Sequence, residues 1–365
     1  LGQGQDTWLL AGANDLWKCS LAENCVWRNT TNSTTCMSAK VGEYQHALAW
    51  NAANPLEIFL GNDSGLWRSM DAIGETGSVC DGGDATHFQN LNGGLGSLAE
   101  AESLAQSQAT PYALMAGLGA NGTAGVKDSS APSGNWPQIL NGEGGPVAID
   151  PTNDSNWFVN NAAGVSIHTC SQASACTEAA FGASGGVNDT DVGGDGLTMT
   201  TSAPFLVDAV DHTQLLVGTC RVWRGVNSGG WTAANAVSPV LDTGATGVAC
   251  NGDAVIRSMA ALNLGNGKEI VYVGMYGEAN GGAGLPGHVL SAIINPASST
   301  LPVWTDLTVN PVSNNSKTLN YYEMDISDIF IDSHDPTGQT VYVTVEGFRQ
   351  AGEVVQTLYR STNGG

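Results

Sequence analysis

Apolar positions along the chain gather in short runs and not at helical spacing. TWLLAG (7–12), EIFLG (57–61), LLVG (215–218) and IVYVG (270–274) are such runs, each closed by glycine. Runs of this length, bounded by turn residues, predict β-strands. No long stretch carries the i, i+3, i+4, i+7 apolar spacing of an amphipathic helix, so very little helix is expected.

The runs recur on one plan. An apolar strand leads to a turn around Asp-Pro or Asn-Pro, and a second apolar strand ends in Gly. A short Leu/Val-Trp/Tyr-Arg/Lys strand follows, then a polar turn and a last strand often bearing Trp. Residues 47–72, 204–234 and 325–365 are the clearest copies; 103–127, 147–181 and 258–277 are looser ones. Residues 7–30 supply the last three strands of one more copy. Copies recur at roughly 45–60 residues, a period that with four short strands per unit predicts propeller blades. Each small sheet covers its faces by stacking on its neighbours. The fold expected is therefore all-β: a single domain over residues 1–365, a seven-bladed β-propeller of four-stranded antiparallel blades. Its first and last units are incomplete, and the chain reads as a portion of a longer one.

LWRS (66–69), VWRG (222–225) and LYRSTNGG (358–365) resemble the Asp-box, or BNR, repeats of sialidase-like propellers. In that repeat a Ser-x-Asp-x-Gly-Gly-x-x-Trp turn joins the third and fourth strands. Ser361-Thr362-Asn363-Gly364-Gly365 looks like its first part, with Asn363 in the place of Asp. The resemblance implies the propeller fold over nearly the whole chain and says little about activity.

Composition narrows the function classes. Of 365 residues only 13% are charged, 48 are Gly, and the net charge is −22. Such a chain repels nucleic acid and anionic membranes, which need clustered Lys and Arg. No apolar run approaches a membrane span. The eight cysteines Cys19, Cys25, Cys36, Cys80, Cys170, Cys176, Cys220 and Cys250 suggest disulfides and a secreted or cell-surface protein. Cys19/Cys25 and Cys170/Cys176 share a C-x5-C spacing at the same place in the repeat and are read as hairpin staples. Cys36/Cys80 and Cys220/Cys250 are then longer links. N-glycosylation sequons begin at Asn29, Asn32, Asn62, Asn121, Asn153, Asn188 and Asn314, which fits the same location.

Candidate chemistry lies in the loops that enter the first strand of each unit, where propeller ligands gather. Nearly every one carries a carboxylate: Glu43, Glu100 or Glu102, Glu143, Asp195, Asp253, and Glu323 or Asp325. His46, Arg257, Tyr321 and Tyr322 join them. The expected site is an acidic funnel of Glu43, His46, Glu102, Asp195, Asp253, Arg257, Tyr321 and Glu323, converging on one face and set apart from Asp63 and Asp71. No cofactor is required, although Ca²⁺ suits carboxylate oxygens. The partners expected are a glycan, a protein surface or further copies of the chain.

An enzymatic alternative is a glycoside hydrolase working through a carboxylate pair. Its candidates are Asp191 and Asp195 in DTDVGGDG, and Tyr322 with Glu323. A sialidase would also need three arginines on one sugar carboxylate. Arg68, Arg224 and Arg360 occupy the third-strand repeat position and read as structural, facing the outer rim. Of the remaining Arg221, Arg257 and Arg349, only Arg257 falls near the funnel, so the triad is not supported. The reading favoured is a non-enzymatic extracellular propeller that binds carbohydrate or protein or builds a surface layer or filament.

Overall fold

The computed structural model describes residues 2–3, 6–30, 41, 44–51, 54–70, 88–91, 100–110, 113–127, 136–183, 185–241, 250, 255–277, 287–309, 312, 318–320, 323–346 and 357–365. By its contacts the chain resolves into two compact units: Leu1–Ala101 with Leu118–Asn121, and Glu102–Gly117 with Gly122–Gly365.

The first unit holds two sheets. One is β1 (Gly2–Gln3), β2 (Asp6–Gly12), β3 (Leu16–Ser20) and β4 (Arg28–Asn29); the other is β5 (Gln45–Asn51), β6 (Asn54–Asn62), β7 (Gly65–Ser69) and β8 (Gln89–Asn90). The second unit holds five. They are β9 (Ser103–Gln106), β10 (Ala113–Gly117), β11 (Thr123–Lys127) and β12 (Gln138–Leu140); β13 (Val147–Ile149), β14 (Trp157–Asn160), β15 (Ser166–Cys170) and β16 (Gly186–Asn188); β17 (Phe205–Val207), β18 (Gln214–Gly218) and β19 (Val222–Val226); β20 (Ile256–Gly265), β21 (Lys268–Met275), β22 (Val289–Ile294) and β23 (Thr305–Asp306); and β24 (Asp325–Ile331), β25 (Val341–Glu346) and β26 (Leu358–Ser361). In every sheet, strands adjacent in sequence are adjacent in space. The chain is thus all-β, with the seven meanders of a seven-bladed β-propeller. The described helix is one short segment, α1 (Glu178–Ala183), and a few 3₁₀ turns.

The first sheet is more complete than the sequence suggests, because Gly2 and Gln3 pair with Thr7 and Asp6. The β17–β19 sheet gains a partial fourth edge: Val237 N–H donates to the Val222 carbonyl at 2.9 Å, beside a bridge between Trp223 and Ala236.

Period-2 patterning sets the faces. Val341, Val343 and Val345 of β25 are buried and the residues between them are less so. β21 is buried at every position but its first, as expected for a strand covered on both faces. The cores lie between neighbouring sheets. Leu216 and Val222 pack with Ile256, Met259, Val271 and Val273, and Tyr272 and Val289 pack with Ile326, Val341 and Val343.

The glycine near the end of the second strand in the β17–β19 and β20–β23 sheets has a steric cause. A Cβ on Gly274 would lie 2.3 Å from Ile326 Cγ2, and one on Gly218 would lie 2.8 Å from Ile256 Cγ2. Only a bare Cα lets the next sheet approach there. The first turn of each unit is closed by its first residue, which takes the following backbone N–H groups. Asp150 Oδ1 accepts from Thr152 at 2.8 Å and Asn153 at 3.2 Å. Asp208 Oδ1 accepts from Val210 at 2.8 Å and Asp211 at 2.7 Å. Ser107 Oγ does the same for Ala109 and Thr110. Burial pushes the Asp150 carboxyl up, but bonds from Thr152, Asn156 and Asn153 outweigh it and hold the group below its usual range.

Disulfides join Cys19 to Cys25, with Cα atoms 4.7 Å apart, and Cys170 to Cys176, with Cα atoms 6.0 Å apart. Each closes the turn between a third and a fourth strand, as expected. Cys220–Cys250 is the longer link, spanning 30 residues. Cys36 and Cys80 lie outside the described residues.

Candidate functional site

In the second unit each sheet meets the next at the same end. Ser103 Oγ, at the start of β9, donates to the Gly145 carbonyl before β13 at 2.7 Å. Ala203 N–H, before β17, donates to the Gly164 carbonyl after β14 at 2.8 Å. Ile256 N–H, at the start of β20, donates to the Thr219 carbonyl after β18 at 2.7 Å. Ser258 Oγ donates to the Ile326 carbonyl of β24 at 3.1 Å. The segments entering β9, β13, β17, β20 and β24 therefore lie along one end of this unit, the placement expected for Glu102, Asp195 and Glu323.

Their side chains are less alike than their positions. Glu102 and Glu143 are exposed and Glu323 is half-buried. Asp195 is buried, on the 3₁₀ turn Asp195–Thr198. Its Oδ2 accepts from Arg221 Nε at 2.7 Å and from Thr219 Oγ1 at 3.2 Å. Thr219 Oγ1 in turn accepts from Trp223 Nε1 at 3.0 Å, and the Arg221 guanidinium lies 5.6 Å from the Trp223 ring. Cys220–Cys250 fixes this corner. Asp191 is buried as well. Its Oδ1 accepts from the N–H groups of Gly230 at 2.7 Å and Trp231 at 3.0 Å, and its Oδ2 from Asn188 N–H at 2.9 Å. It ties two sheets together through backbone groups, as a buried carboxylate must when its lone pairs have no water.

The second constellation surrounds Arg257. Its Nε lies 3.2 Å from Asp325 Oδ2, and its Nη2 lies 3.9 Å from Glu346 Oε2. The β24–β25 register sets Asp325 opposite Glu346. Asp325 is buried, with one carboxyl oxygen lacking a hydrogen-bond partner. Burial pushes the Asp325 carboxyl above its usual range and Glu346 adds to that, against the opposing pull of Arg257 and the Gly277 backbone. Tyr276 follows β21 beside this group, its N–H donating to the Val255 carbonyl at 2.8 Å, with 41% of its surface exposed.

Several expectations change. Arg224 does not face the outer rim: its side chain is 10% exposed and paired with the carboxylate of Asp208. Its strand runs between two packed sheets, which removes it from solvent. Arg68 keeps the structural role assigned to it, 3.3 Å from Glu57. His46 Nε2 contacts the carboxylate of Asp63. In a meander the second-to-third turn returns to the end where the first strand begins. Asn62 is buried, with Nδ2 donating to Gln45 Oε1 at 3.3 Å, so its sequon offers no free amide for a glycan. Asn29 and Asn121 are half-buried, and Asn153 and Asn188 are exposed. Glu43, Asp253, Tyr321, Tyr322, Asn32, Asn314, Asp71 and Arg349 lie outside the described residues.

Among the described residues, one group of possible metal-ligand atoms comes together: Asp195 with the sulfurs of Cys220 and Cys250. Those sulfurs are joined to each other, so they offer no thiolate to a metal. Tyr276 was not singled out in the sequence, and Arg221 was placed away from the candidate residues, whereas it pairs with Asp195. Arg221 follows the repeat's glycine by three residues, and Tyr276 comes directly after the second strand; that position just beyond the second strand is the signal that would have found both.

No protein-family model and no curated protein matches the chain. Among solved structures, the β-propeller domain of Myceliophteria thermophila Cps50 (Swd1) is 9% identical, with a TM-score of 0.40, over 82% of this chain and 79% of its own. The WD40 repeats of RRP9 are 11% identical, with a TM-score of 0.39, over 95% and 86%. An ancestral GH74 enzyme is 11% identical, with a TM-score of 0.29, over 98% of this chain but only 36% of its own length. The propeller class rests on the seven meanders themselves.

Proposed function

We propose that this chain is a secreted or cell-surface propeller that binds a neutral, hydroxyl-rich glycan or a protein surface where the loops enter the first strands. It is not read as a glycosidase. The observation that carries this reading is the commitment of Asp191 and Asp195. Asp191 is consumed by three backbone N–H groups and Asp195 by Arg221 and Thr219, whereas a general acid or a nucleophile needs a carboxyl free to face substrate. Arg221 and Arg257 are each paired with a carboxylate, so neither is available to seat a sialoside. Tyr276 is exposed and its backbone pairs with Val255, two residues before Arg257, which suits a sugar, with a ring to stack on and donors and acceptors for its hydroxyls.

Two features support the extracellular placement and the repeat family. The three described disulfides belong to an oxidising compartment. Ser361 Oγ accepts from Gly365 N–H at 2.8 Å and Asn363 N–H at 3.3 Å, a closed turn at the point where an Asp-box is expected.

The test is calorimetric titration with neutral oligosaccharides. Binding is expected to weaken about tenfold in Tyr276→Ala, the loss of one stacking contact of about 1.4 kcal/mol. Release of reducing sugar that Asp191→Asn or Asp195→Asn abolishes, in a variant that still folds, would establish the hydrolase instead.

A further inference from the structure

At the far end of the same sheets, the turn after β17 meets the start of β21 across a sheet boundary. Asp208 and Glu269 are both fully buried there, and Arg224 of β19 is the cation between them. Arg224 Nε contacts Asp208 Oδ2 and lies 3.8 Å from Glu269 Oε1. Arg224 Nη1 donates to Gln214 Oε1 at 2.8 Å. Glu269 Oε2 accepts from Ala209 N–H at 3.2 Å, while its Oε1 has no hydrogen-bond partner. The Asp208 and Glu269 carboxyl groups are thus brought to the same Arg224 Nε.

The charges do not balance as drawn. One guanidinium faces two carboxylates that have lost their water, and an unpaired buried charge is expensive. The remaining described neighbours bring no second cation. β20 presents Asn263, whose amide donates to the Ala209 carbonyl at 3.0 Å. β22 presents Ile294 as the pairing partner of Glu269. Asp211 bonds Thr213 and Gln214 and adds a further negative charge on the Arg224 side. Lys268 is exposed. A proton between the two carboxyls would satisfy the unpartnered oxygen and the charge at once.

We propose that the junction between the β17–β19 and β20–β23 sheets is locked by a proton shared between Asp208 and Glu269, making the second unit tightest in acid surroundings. Burial first, and Asp208 second, push the Glu269 carboxyl up from 4.5 to about 7. A folded-state value above the unfolded one means a contribution fully present below about pH 4.5 and lost as pH rises through about 7.

The experiment is thermal unfolding of the full chain between pH 4 and pH 9, comparing wild type with Glu269→Gln. The side-chain amide that this substitution introduces can donate to Asp208 and accept from Ala209, as the protonated acid does. The wild-type folding equilibrium is expected to weaken at least tenfold relative to the variant between pH 5 and pH 8. Parallel pH curves for the two proteins would overturn the proposal. Should the variant fail to fold, hydrogen exchange at the Ala209 amide of the wild type decides. Protection, corrected for intrinsic rate, must fall above pH 7, and constant protection counts against the shared proton.

Discussion

Two arginines in the second unit each face two carboxylates, and burial makes them different devices. Arg224 sits with Asp208 and Glu269, whose side chains are 0% exposed. Arg257 sits with Asp325 and with Glu346, whose side chain is 64% exposed. In the first cluster water cannot absorb the surplus negative charge, so Glu269 is driven up to about 7 by burial. In the second, the Glu346 side chain reaches solvent, and burial pushes the Asp325 carboxyl up against the opposing pull of Arg257. The same three residue types thus build a dry joint at one end of the sheets and a solvent-accessible cluster at the other.

The largest expected difference is in the cost of removing the cation. At pH 8, where the shared proton has left, Arg224→Ala leaves two buried carboxylates without their cation and should destabilise the protein by about 3–5 kcal/mol. Adding Glu269→Gln should recover part of that, since it removes one of the stranded charges. Arg257→Ala, at a half-open pair, should cost less than about 1 kcal/mol. Urea unfolding of the three variants checks the comparison; equal costs for the two arginines would break it.

Much of the frame was legible in the chain. The glycine near the end of the second strand in the β17–β19 and β20–β23 sheets, the C-x5-C hairpins and the buried Trp67 and Trp223 follow from local pattern, because each is dictated by contacts within one sheet or with its immediate neighbour. The clusters were not legible. Arg221 and Asp195 are 26 residues apart, and Arg224 and Glu269 belong to different sheets. Their meeting depends on register and on how one sheet lies on the next, which leaves no period in the sequence. Asp191 is a related case. DTDVGGDG reads first as a Gly-rich turn and only weakly as a catalytic loop, and the backbone of Gly230 and Trp231, beyond the next sheet's third strand, makes its carboxylate a clamp.

A smaller effect concerns Asp325. Burial raises its carboxyl while Arg257 opposes, so its folded value exceeds the ordinary 3.8 and its contribution is lost as pH rises through that raised value. Relative to Asp325→Asn, the wild type should therefore gain stability on acidification, by less than the Glu269 step because Arg257 and partial solvent contact hold the carboxylate charged. Chemical unfolding at pH 4 and pH 7 measures this. A wild type that instead loses ground to the variant at pH 4 would place the Asp325 value below 3.8 and make Arg257 the dominant neighbour.

Ionic strength should give the smallest effect and the sharpest contrast in kind. The screening length falls from about 10 Å at 0.1 M salt to about 3 Å at 1 M. Ions reach the Arg257–Glu346 pair, whose side chains are 36% and 64% exposed, but not the Arg224 cluster, at 10% and 0%. The destabilisation by Arg257→Ala, a few tenths of a kcal/mol, should shrink toward zero in 1 M NaCl. That of Arg224→Ala should stay constant, once each is measured against wild type at the same salt with an unchanged urea slope. If salt erodes the Arg224 cost as well, water and ions enter that joint, and burial is not what separates the two clusters.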